Sequence, residues 1–525
     1  MRSSSFRRRA SDESGIALIS AIIVGSIMMM LVAALGRYSL SALNLSRHDQ
    51  DWNAALAAAE SGIDHYLFRL NQDENYWQYS AANPPPDGNA AFTTWVPVPG
   101  NANDGKFRYD IDVSTRPVDG TIKVTSTGKV QSTTRTVHST LRKRGFLDYL
   151  YFSEYETKDP VLYNTASPDF DAYSATVAAD LCAHHYYDVP PRDSNCGDIQ
   201  FASADVIKGP LHSNDAILMS GSPQFQGTVS TSWNPQSGNR YRGTATPVFS
   251  RAGDPALEAA ISMPPSNTSV KVQADAALGG TGCLYTGPTS ITLTSNGKMN
   301  VTSPYTLSSN CATGTGVSLP ANGVVYVQGV PASPSNPNYR ATCSVGSGNP
   351  LGYPITGDIT SGYGCFDGDV FLSGTLKGSL TIASADNIVV VGNTTYEGGT
   401  AGTDLLGLLA DNYVQVYHPV NSSGAELASF TNVVIHAATM TIAHSFIVQN
   451  FRSGTPRGTL TVFGAIAQLY RGPVGTGSGG SVATGFAKDY NYDQKLKYLS
   501  PPYFIDPVKS AWQQVTWAEV PPAYT

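Results

Sequence analysis

Charged residues are scarce in this chain: they make up 14% of its 525 residues, against about 25% in typical soluble proteins. The 33 lysines and arginines are fewer than the 40 aspartates and glutamates, so the net charge is −7. Nucleic-acid binding requires clustered Lys and Arg, and the dense basic run is confined to Arg2, Arg7, Arg8 and Arg9. The composition therefore predicts no nucleic-acid partner.

The sequence also lacks closely spaced cysteine pairs. No two of its six cysteines have C-x-x-C spacing, so neither a zinc site nor a dithiol redox site is predicted. His184 and His185 follow Cys182 closely, but adjacent residues of a strand face opposite sides, and no metal is predicted there. An even number of cysteines beyond an export segment predicts disulfides, with fifteen possible pairings. We expect sequence neighbours to pair: Cys182 with Cys196, Cys283 with Cys311, and Cys343 with Cys365.

Familiar catalytic patterns are missing as well. There is no zinc-protease, serine-hydrolase or P-loop motif. Residues 475–480 read Gly-Thr-Gly-Ser-Gly-Gly and match G-x-G-x-x-G. A dinucleotide site needs a helix to begin within that motif, and no helical period follows. We therefore expect a flexible loop at 475–480.

Carbohydrate cleavage is the enzymatic alternative that remains, because it requires only two suitably placed carboxyl groups, about 5–9 Å apart. The candidates are Asp367, Asp369, Asp386 and Asp411. Aspartate is also favoured in turns for its geometry alone. The main prediction is a chain with no catalytic residues and no cofactor.

One apolar stretch organises the N-terminus. Residues 16–35 contain no charge, Pro, Asn or Gln, and twenty helical residues span about 30 Å, the thickness of a bilayer core. The preceding arginines predict an N-terminus on the inner side of the membrane. The stretch is too long for a cleaved secretory signal, and two interpretations remain: a plain signal anchor, or a prepilin leader.

The sequence Ser14-Gly15-Ile16-Ala-Leu-Ile-Ser20 resembles the type IV pilin-like proteins. The resemblance implies that a prepilin peptidase cuts after Gly15 and that Ile16 becomes the methylated first residue. At the fifth mature position, major pilins carry a Glu that pairs with a neighbouring subunit, and here that position is Ser20. Absence of the Glu implies a minor pilin or pseudopilin at a filament tip.

The helix is predicted to continue well beyond the membrane. Apolar residues recur at three- and four-residue spacing, which is typical of an amphipathic helix, and no Pro occurs before Pro84. The spacing predicts one helix over 16–71. Three alternating runs at 107–113, 121–126 and 134–141 then predict a small antiparallel sheet. The apolar residues of the amphipathic part are Leu56, Ala59, Ile63, Tyr66, Leu67 and Leu70.

Short β-branched runs, such as Ile388-Val-Val-Val391, recur about every ten residues between 370 and 470. Such runs cannot bury a face alone and must stack on one another. They predict a parallel β-solenoid, with a β-sandwich as the alternative, and an insertion at about 235–365. Several phrases also resemble poorly characterised bacterial envelope proteins with pilin-like N-termini, a resemblance that implies no activity. These phrases lie at 209–215, 407–412, 460–466, 471–475 and 485–493.

The predicted fold class is therefore mainly β with one long N-terminal α-helix. The predicted domains are a basic leader (1–15), a transmembrane and amphipathic helix (16–75), a small β domain (76–145), a solenoid (146–470) and a C-terminal cap (471–525).

The predicted function is that of a non-catalytic minor pilin or pseudopilin at a filament tip, which displays the solenoid for assembly initiation or adhesion. The alternatives are a single-pass anchored surface binding protein and an anchored carbohydrate-active enzyme. The predicted partners are other pilin-like subunits, the membrane, prepilin peptidase and a surface ligand such as a carbohydrate. The predicted location is the inner membrane, then the pilus or cell surface, with the bulk of the chain extracytoplasmic.

Overall fold

A computed structural model describes residues 14–73, 75–100, 105–116, 120–143, 145–164, 171–203, 205–307, 309–343, 345, 348–360, 362–478, 481–507 and 512–524. Most of the basic leader predicted at 1–15 lies outside these residues. The chain divides into two compact units. The first contains Met1–Asp112, Lys123–Thr140 and Thr516–Thr525, and the second contains Val113–Ile122 and Leu141–Val515.

One long helix, α1, dominates the first unit. It runs over Ser14–Gln72, 59 residues in all, which confirms the single helix predicted over 16–71. Its second half is buried along one face, at Ala55, Ala59, Ile63 and Tyr66. The three- and four-residue spacing of these residues places them on one side of the helix, and the ring of Tyr66 packs edge-on against that of Tyr109, 5.5 Å away.

The face of α1 packs on an antiparallel sheet. Among the described residues this sheet has the strand order β1-β2-β3-β4-β27. The three alternating runs predicted as strands are present as β2, β3 and β4. The last strand comes from the C-terminal segment, which the sequence placed in a cap. The strands are β1 (Val96–Pro97), β2 (Lys106–Asp112), β3 (Ile122–Val130), β4 (Thr133–Lys143) and β27 (Trp512–Val520).

The second unit is built mainly from short parallel strands, with two small helices, α2 (Ala175–Leu181) and α3 (Thr268–Ala274). The first strands along the chain are β5 (Tyr151–Tyr155), β6 (Val206–Lys208), β7 (Leu211–Ser213), β8 (Gln224–Phe225), β9 (Val229–Thr231), β10 (Val248–Phe249) and β11 (Ala256–Leu257). The next are β12 (Cys283–Thr286), β13 (Thr289–Thr294), β14 (Lys298–Thr302), β15 (Gly314–Ser318) and β16 (Val324–Gln328).

The remaining strands carry the short apolar runs predicted from the sequence. They are β17 (Val370–Leu376), β18 (Ser379–Ser384), β19 (Ile388–Tyr396), β20 (Leu405–Ala410), β21 (Val414–Val416), β22 (Val434–Thr441), β23 (Phe446–Val448), β24 (Pro456–Tyr470), β25 (Gly475–Ser478) and β26 (Ser481–Tyr492).

These strands form long parallel ladders. One ladder has the order β12-β16-β18-β20-β22-β24-β5-β7-β9-β11 in the described part of the chain. A second has the order β13-β17-β19-β21-β23. The predicted insertion at 235–365 contributes β11, β12, β13 and β16 to these ladders, because its short strands pair in register with strands that precede and follow it in the sequence.

The register explains why strands of three residues are sufficient. Leu372 lies opposite Val390, Val390 opposite Val416, and Val416 opposite Val448. All four side chains are buried, so equivalent positions of successive strands form a continuous aliphatic row. Each strand adds one side chain to this row, and the stacked strands together enclose a core that no single strand could form.

The chain does not follow the ladder from end to end. It enters at β5, proceeds to β11, and then crosses back along the ladder before β12 begins. The crossing segment, residues 258–282, is held by side chains that lie in the strands it passes or directly after them. Ile261 N donates to Asn214 Oδ1 (2.9 Å), Met263 N to Glu154 Oε2 (3.0 Å) and Asn267 N to Asp411 Oδ1 (3.0 Å).

We predict that Gly128→Ala will destabilise the first unit by about 1–3 kcal/mol or more. A Cβ at Gly128 would lie 2.0 Å from Ala55 O and 2.3 Å from Ala59 N, so α1 would have to move away from β3. Chemical unfolding of the full-length protein measures the effect. The matched control is Gly36→Ala, since a Cβ at Gly36 in the same helix meets nothing within 4 Å. Equal stability of the two variants would contradict the prediction.

Candidate functional site

The first half of α1 presents an uncovered apolar surface. Large apolar side chains between residues 18 and 45 are more than half exposed, with Met29 at 76% and Leu18 at 64%. The helix is long and apolar enough to cross a membrane. Water is a poor environment for so much apolar surface, so lipid or other apolar helices must cover it.

The predicted processing residues lie at the start of this helix. The backbones of Gly15 and Ile16 belong to the first turns of α1, and the side chain of Ile16 lies outside the described part of the molecule. Ser20 is exposed on the helix surface. The structure therefore places the predicted junction within a helix, and cleavage at Gly15 stays a prediction.

Three disulfides are present in the second unit. Cys182 pairs with Cys196, Cys283 with Cys311 and Cys343 with Cys365. This is the pairing of sequence neighbours that we expected, and a disulfide-bonded chain belongs in an oxidising compartment. Cys182 is thereby removed as a metal ligand. The Nδ1 atom of the nearby His185 lies 2.7 Å from the backbone carbonyl oxygen of Ala183.

The four aspartates considered for carbohydrate cleavage all accept hydrogen bonds at the corners between strands. Asp367 Oδ2 accepts from Gly364 N (2.8 Å), Asp386 Oδ2 from Gly368 N (2.6 Å) and Asp411 Oδ1 from Asn267 N (3.0 Å). Asp369 Oδ1 accepts from both the backbone N and Nδ2 of Asn387, at 3.2 and 2.8 Å. These bonds fix turns and join successive corners, which is the structural role that Asp and Asn have in turns.

Burial raises the pKa of Asp369 to about 8, with a further contribution from the nearby Asp367 and Asp386 carboxylates. A raised pKa is one property of a general acid. The Asp369 side chain is nevertheless fully buried, so a sugar cannot reach it. Burial likewise raises the pKa of Asp411 to about 6. Both pKa values are raised because the turns that carry Asp369 and Asp411 pack against the core.

A cavity of about 680 Å³ lies elsewhere in the second unit. Its wall residues come from separate parts of the chain: Lys158, residues 197–200, 202 and 203 with Asp205, Ser220, Phe451 with Arg452, and Pro473 and Val474 with the strands β25 and β26. The first residues of the G-x-G-x-x-G match thus lie at a cavity wall. Gly475–Ser478 is not the flexible loop that we expected, because it pairs antiparallel with β26; the last two residues of the match lie outside the described residues.

Hydrogen bonds join two of these walls. The hydroxyls of Thr476 and Thr484 lie 2.6 Å apart across the hairpin, and Thr484 Oγ1 also donates to Phe451 O at 2.6 Å. These bonds fix the position of the β25–β26 hairpin relative to Phe451. The sequence gives no clear alternation over 475–484 that would have predicted this strand pair.

Charged side chains on the cavity wall are paired. Lys488 Nζ lies 3.1 Å from Asp205 Oδ1, and Arg452 Nη1 lies 2.7 Å from Asp171 Oδ2. Lys158 also contacts Asp171. Sequence reasoning missed all of these residues, because they lie up to 283 positions apart and none belongs to a recognisable motif.

No family model matches the chain, and no curated protein matches it. Among solved structures, the chain is similar to the competence-associated pilin ComZ from Thermus thermophilus. The identity is 13%, the alignment covers 90% of this chain and 97% of that one, and the TM-score is 0.26.

We predict that Asp369→Asn will flatten the pH dependence of stability. In the folded chain Asp369 keeps its proton up to about pH 8, whereas in the unfolded chain it loses it near pH 4. Between these values the folded state binds more protons, so the free energy of unfolding falls as pH rises, by up to about 1.4 kcal/mol per pH unit. Asparagine has no proton to lose, and its Oδ1 can still accept from Asn387.

Chemical unfolding at pH 4, 6 and 8 measures this difference. The variant should gain stability relative to the wild type as pH rises from 4 to 8. Glu397→Gln is the control, since Glu397 lies at the surface with its side chain 42% exposed beside Lys377. Parallel pH profiles for Asp369→Asn and the wild type would contradict the assignment of a protonated Asp369.

Proposed function

We propose that this chain is a non-catalytic, minor pilin-like or pseudopilin-like subunit of a type IV pilus or a related secretion filament. The observation that carries the proposal is the division of α1 into two halves. The first half leaves its apolar side chains exposed, whereas the second half is packed on an antiparallel sheet. A filament subunit needs this combination, because one half of the helix must be free to pack on other subunits.

In this proposal α1 occupies two environments in turn. The apolar half first crosses the inner membrane, with the basic leader on the cytoplasmic side. It then leaves the lipid and packs against the helices of other pilin-like subunits. Both environments bury the same apolar surface, so transfer between them costs little hydrophobic free energy.

The resemblance at Gly15, Ile16 and Ser20 supports a special position in the filament. Without a Glu at the fifth mature position, the subunit has no carboxylate to offer to a neighbour's N-terminus. A subunit at the tip needs none, and we therefore propose a tip location.

We further propose that the parallel ladders are the faces of a β-solenoid that is displayed for assembly initiation or adhesion. The row of Leu372, Val390, Val416 and Val448 supports this architecture. The three disulfides support exposure outside the cytoplasm. The corner hydrogen bonds made by the four candidate aspartates favour binding over catalysis.

A plain membrane anchor is the second candidate, because the same exposed apolar half of α1 would serve it. The two functions differ at Gly15. We predict that Gly15→Ala blocks removal of the leader in a strain with active prepilin peptidase, whereas the wild type matures to a methylated Ile16. Mass spectrometry of the intact protein and of its N-terminal peptide measures both outcomes.

Gly25→Ala is the matched control, since a Cβ at Gly25 lies in open space on the same helix. It should lose its leader like the wild type, because the substitution lies ten residues beyond the junction. An intact leader on the wild-type protein would refute the pilin-like function. A processed protein that never leaves the membrane fraction would favour the plain anchor.

A further inference from the structure

The 680 Å³ cavity of the second unit has the dimensions of a ligand site, since such sites have volumes of about 300–1,000 Å³. It also mixes apolar and polar lining in the way that such sites do. Phe486 and Val474 are buried beneath it, whereas Gln200 is exposed at its wall. None of the residues assigned to the filament function contributes to this cavity.

The charges at the wall restrict the chemistry of a ligand. Lys488 is paired with Asp205, and Asp171 is shared by Arg452 and Lys158. The remaining charged residue of the described wall is Asp198, which is paired with Arg192 at 2.9 Å and with Arg242 at 2.5 Å. Each charged side chain of the described wall therefore faces an opposite charge. A strongly anionic or cationic ligand would have to displace a partner that is already in place.

Paired charged groups retain capacity for neutral hydrogen-bonding ligands. A lysine has three donor hydrogens, an arginine has five, and a carboxylate has about four acceptor positions. One ion pair uses only part of this capacity. Hydroxyls of Ser203, Ser220 and Thr476 add groups that both donate and accept. The ligand that matches such a wall carries several hydroxyl groups and no net charge.

An aromatic ring completes the wall. Phe451 is partly buried, and the guanidinium of Arg452 lies 5.2 Å from the centre of its ring. The hydrogen bond from Thr484 to Phe451 O holds this residue beside the β25–β26 hairpin. The ring offers an apolar surface next to polar groups, which suits a molecule with one apolar face and a hydroxylated edge.

From these features we propose that the cavity binds a neutral carbohydrate of two or three sugar residues. The hydroxyl groups of the sugar bond to the ion-paired and hydroxyl side chains, and the C–H face of one ring packs on Phe451. This inference rests on the proposed function, and it names the class of ligand that a displayed subunit would bind at a surface.

The test uses the full-length protein in a zwitterionic detergent without a sugar headgroup. The probes are cellobiose, lactose, N,N′-diacetylchitobiose and mannobiose, with a neutral Gly-Ser tetrapeptide and a sulfated heparin disaccharide for comparison. Saturation-transfer NMR detects contact and titration calorimetry gives Kd. We expect at least one neutral disaccharide to bind saturably, and the peptide and the sulfated sugar not to bind.

Two variants locate the binding. Phe451→Ala should weaken it about tenfold or more by removing the apolar surface, and Gln200→Ala should weaken it about threefold or more. Gln200 is exposed, so its variant should keep the fold even if Phe451→Ala does not. Tyr498→Ala is the matched control, since Tyr498 is 56% exposed and does not line the cavity.

Three results would overturn the proposal: no neutral sugar bound at millimolar concentration, binding of the peptide or the sulfated sugar alone, or sugar binding that neither variant weakens. These results are independent of leader processing at Gly15. A chain that is processed but binds no sugar refutes only this inference, and a chain that binds sugar but keeps its leader refutes only the filament function.

Discussion

The second unit depends above all on parallel pairing in register. Strands of two or three residues, such as β8 and β21, bury too little surface to be stable alone. Stacked in parallel, they align their backbone hydrogen bonds and their side chains at the same time. The row through Leu372, Val390, Val416 and Val448 shows the result. A shift of one residue would turn these side chains away from the core, so register is the constraint that every corner must preserve.

Corner residues preserve that register by joining one strand to the next. Asn387 donates to the buried Asp369, and Asn267 of the crossing segment donates to Ser384 O at 2.6 Å and accepts from Tyr326 at 2.8 Å. A buried polar side chain is costly unless its bonds are satisfied. Because the bonds of Asn267 are satisfied only when neighbouring strands are aligned, such residues penalise alternative registers.

The sequence predicted the elements that local patterns determine. Helix α1 was predictable from apolar spacing and the absence of Pro, strands β2–β4 from alternation, and the recurring strands from short β-branched runs. Neighbouring cysteines also pair as expected. The cavity was not predictable, because Asp205 and Lys488 meet only after the chain has traversed the ladder. The described part of the Gly-rich match, residues 475–478, was misread as a flexible loop because Gly is frequent both in loops and where backbones approach closely.

The sheet of the first unit is completed by strands from distant parts of the chain. The second unit is formed mainly by residues between β4 and β27, which are neighbouring strands of the first unit's sheet. Ser139 Oγ donates to Thr516 O at 3.0 Å, and Thr140 N donates to Thr516 Oγ1 at 3.1 Å. The chain thus leaves the sheet and returns to it at the same place. Residues more than 370 positions apart thereby become neighbours in one antiparallel sheet. A strand such as β27 completes this sheet only after the rest of the chain has been traversed, and for this reason the local pattern of residues 512–520 does not reveal its partner.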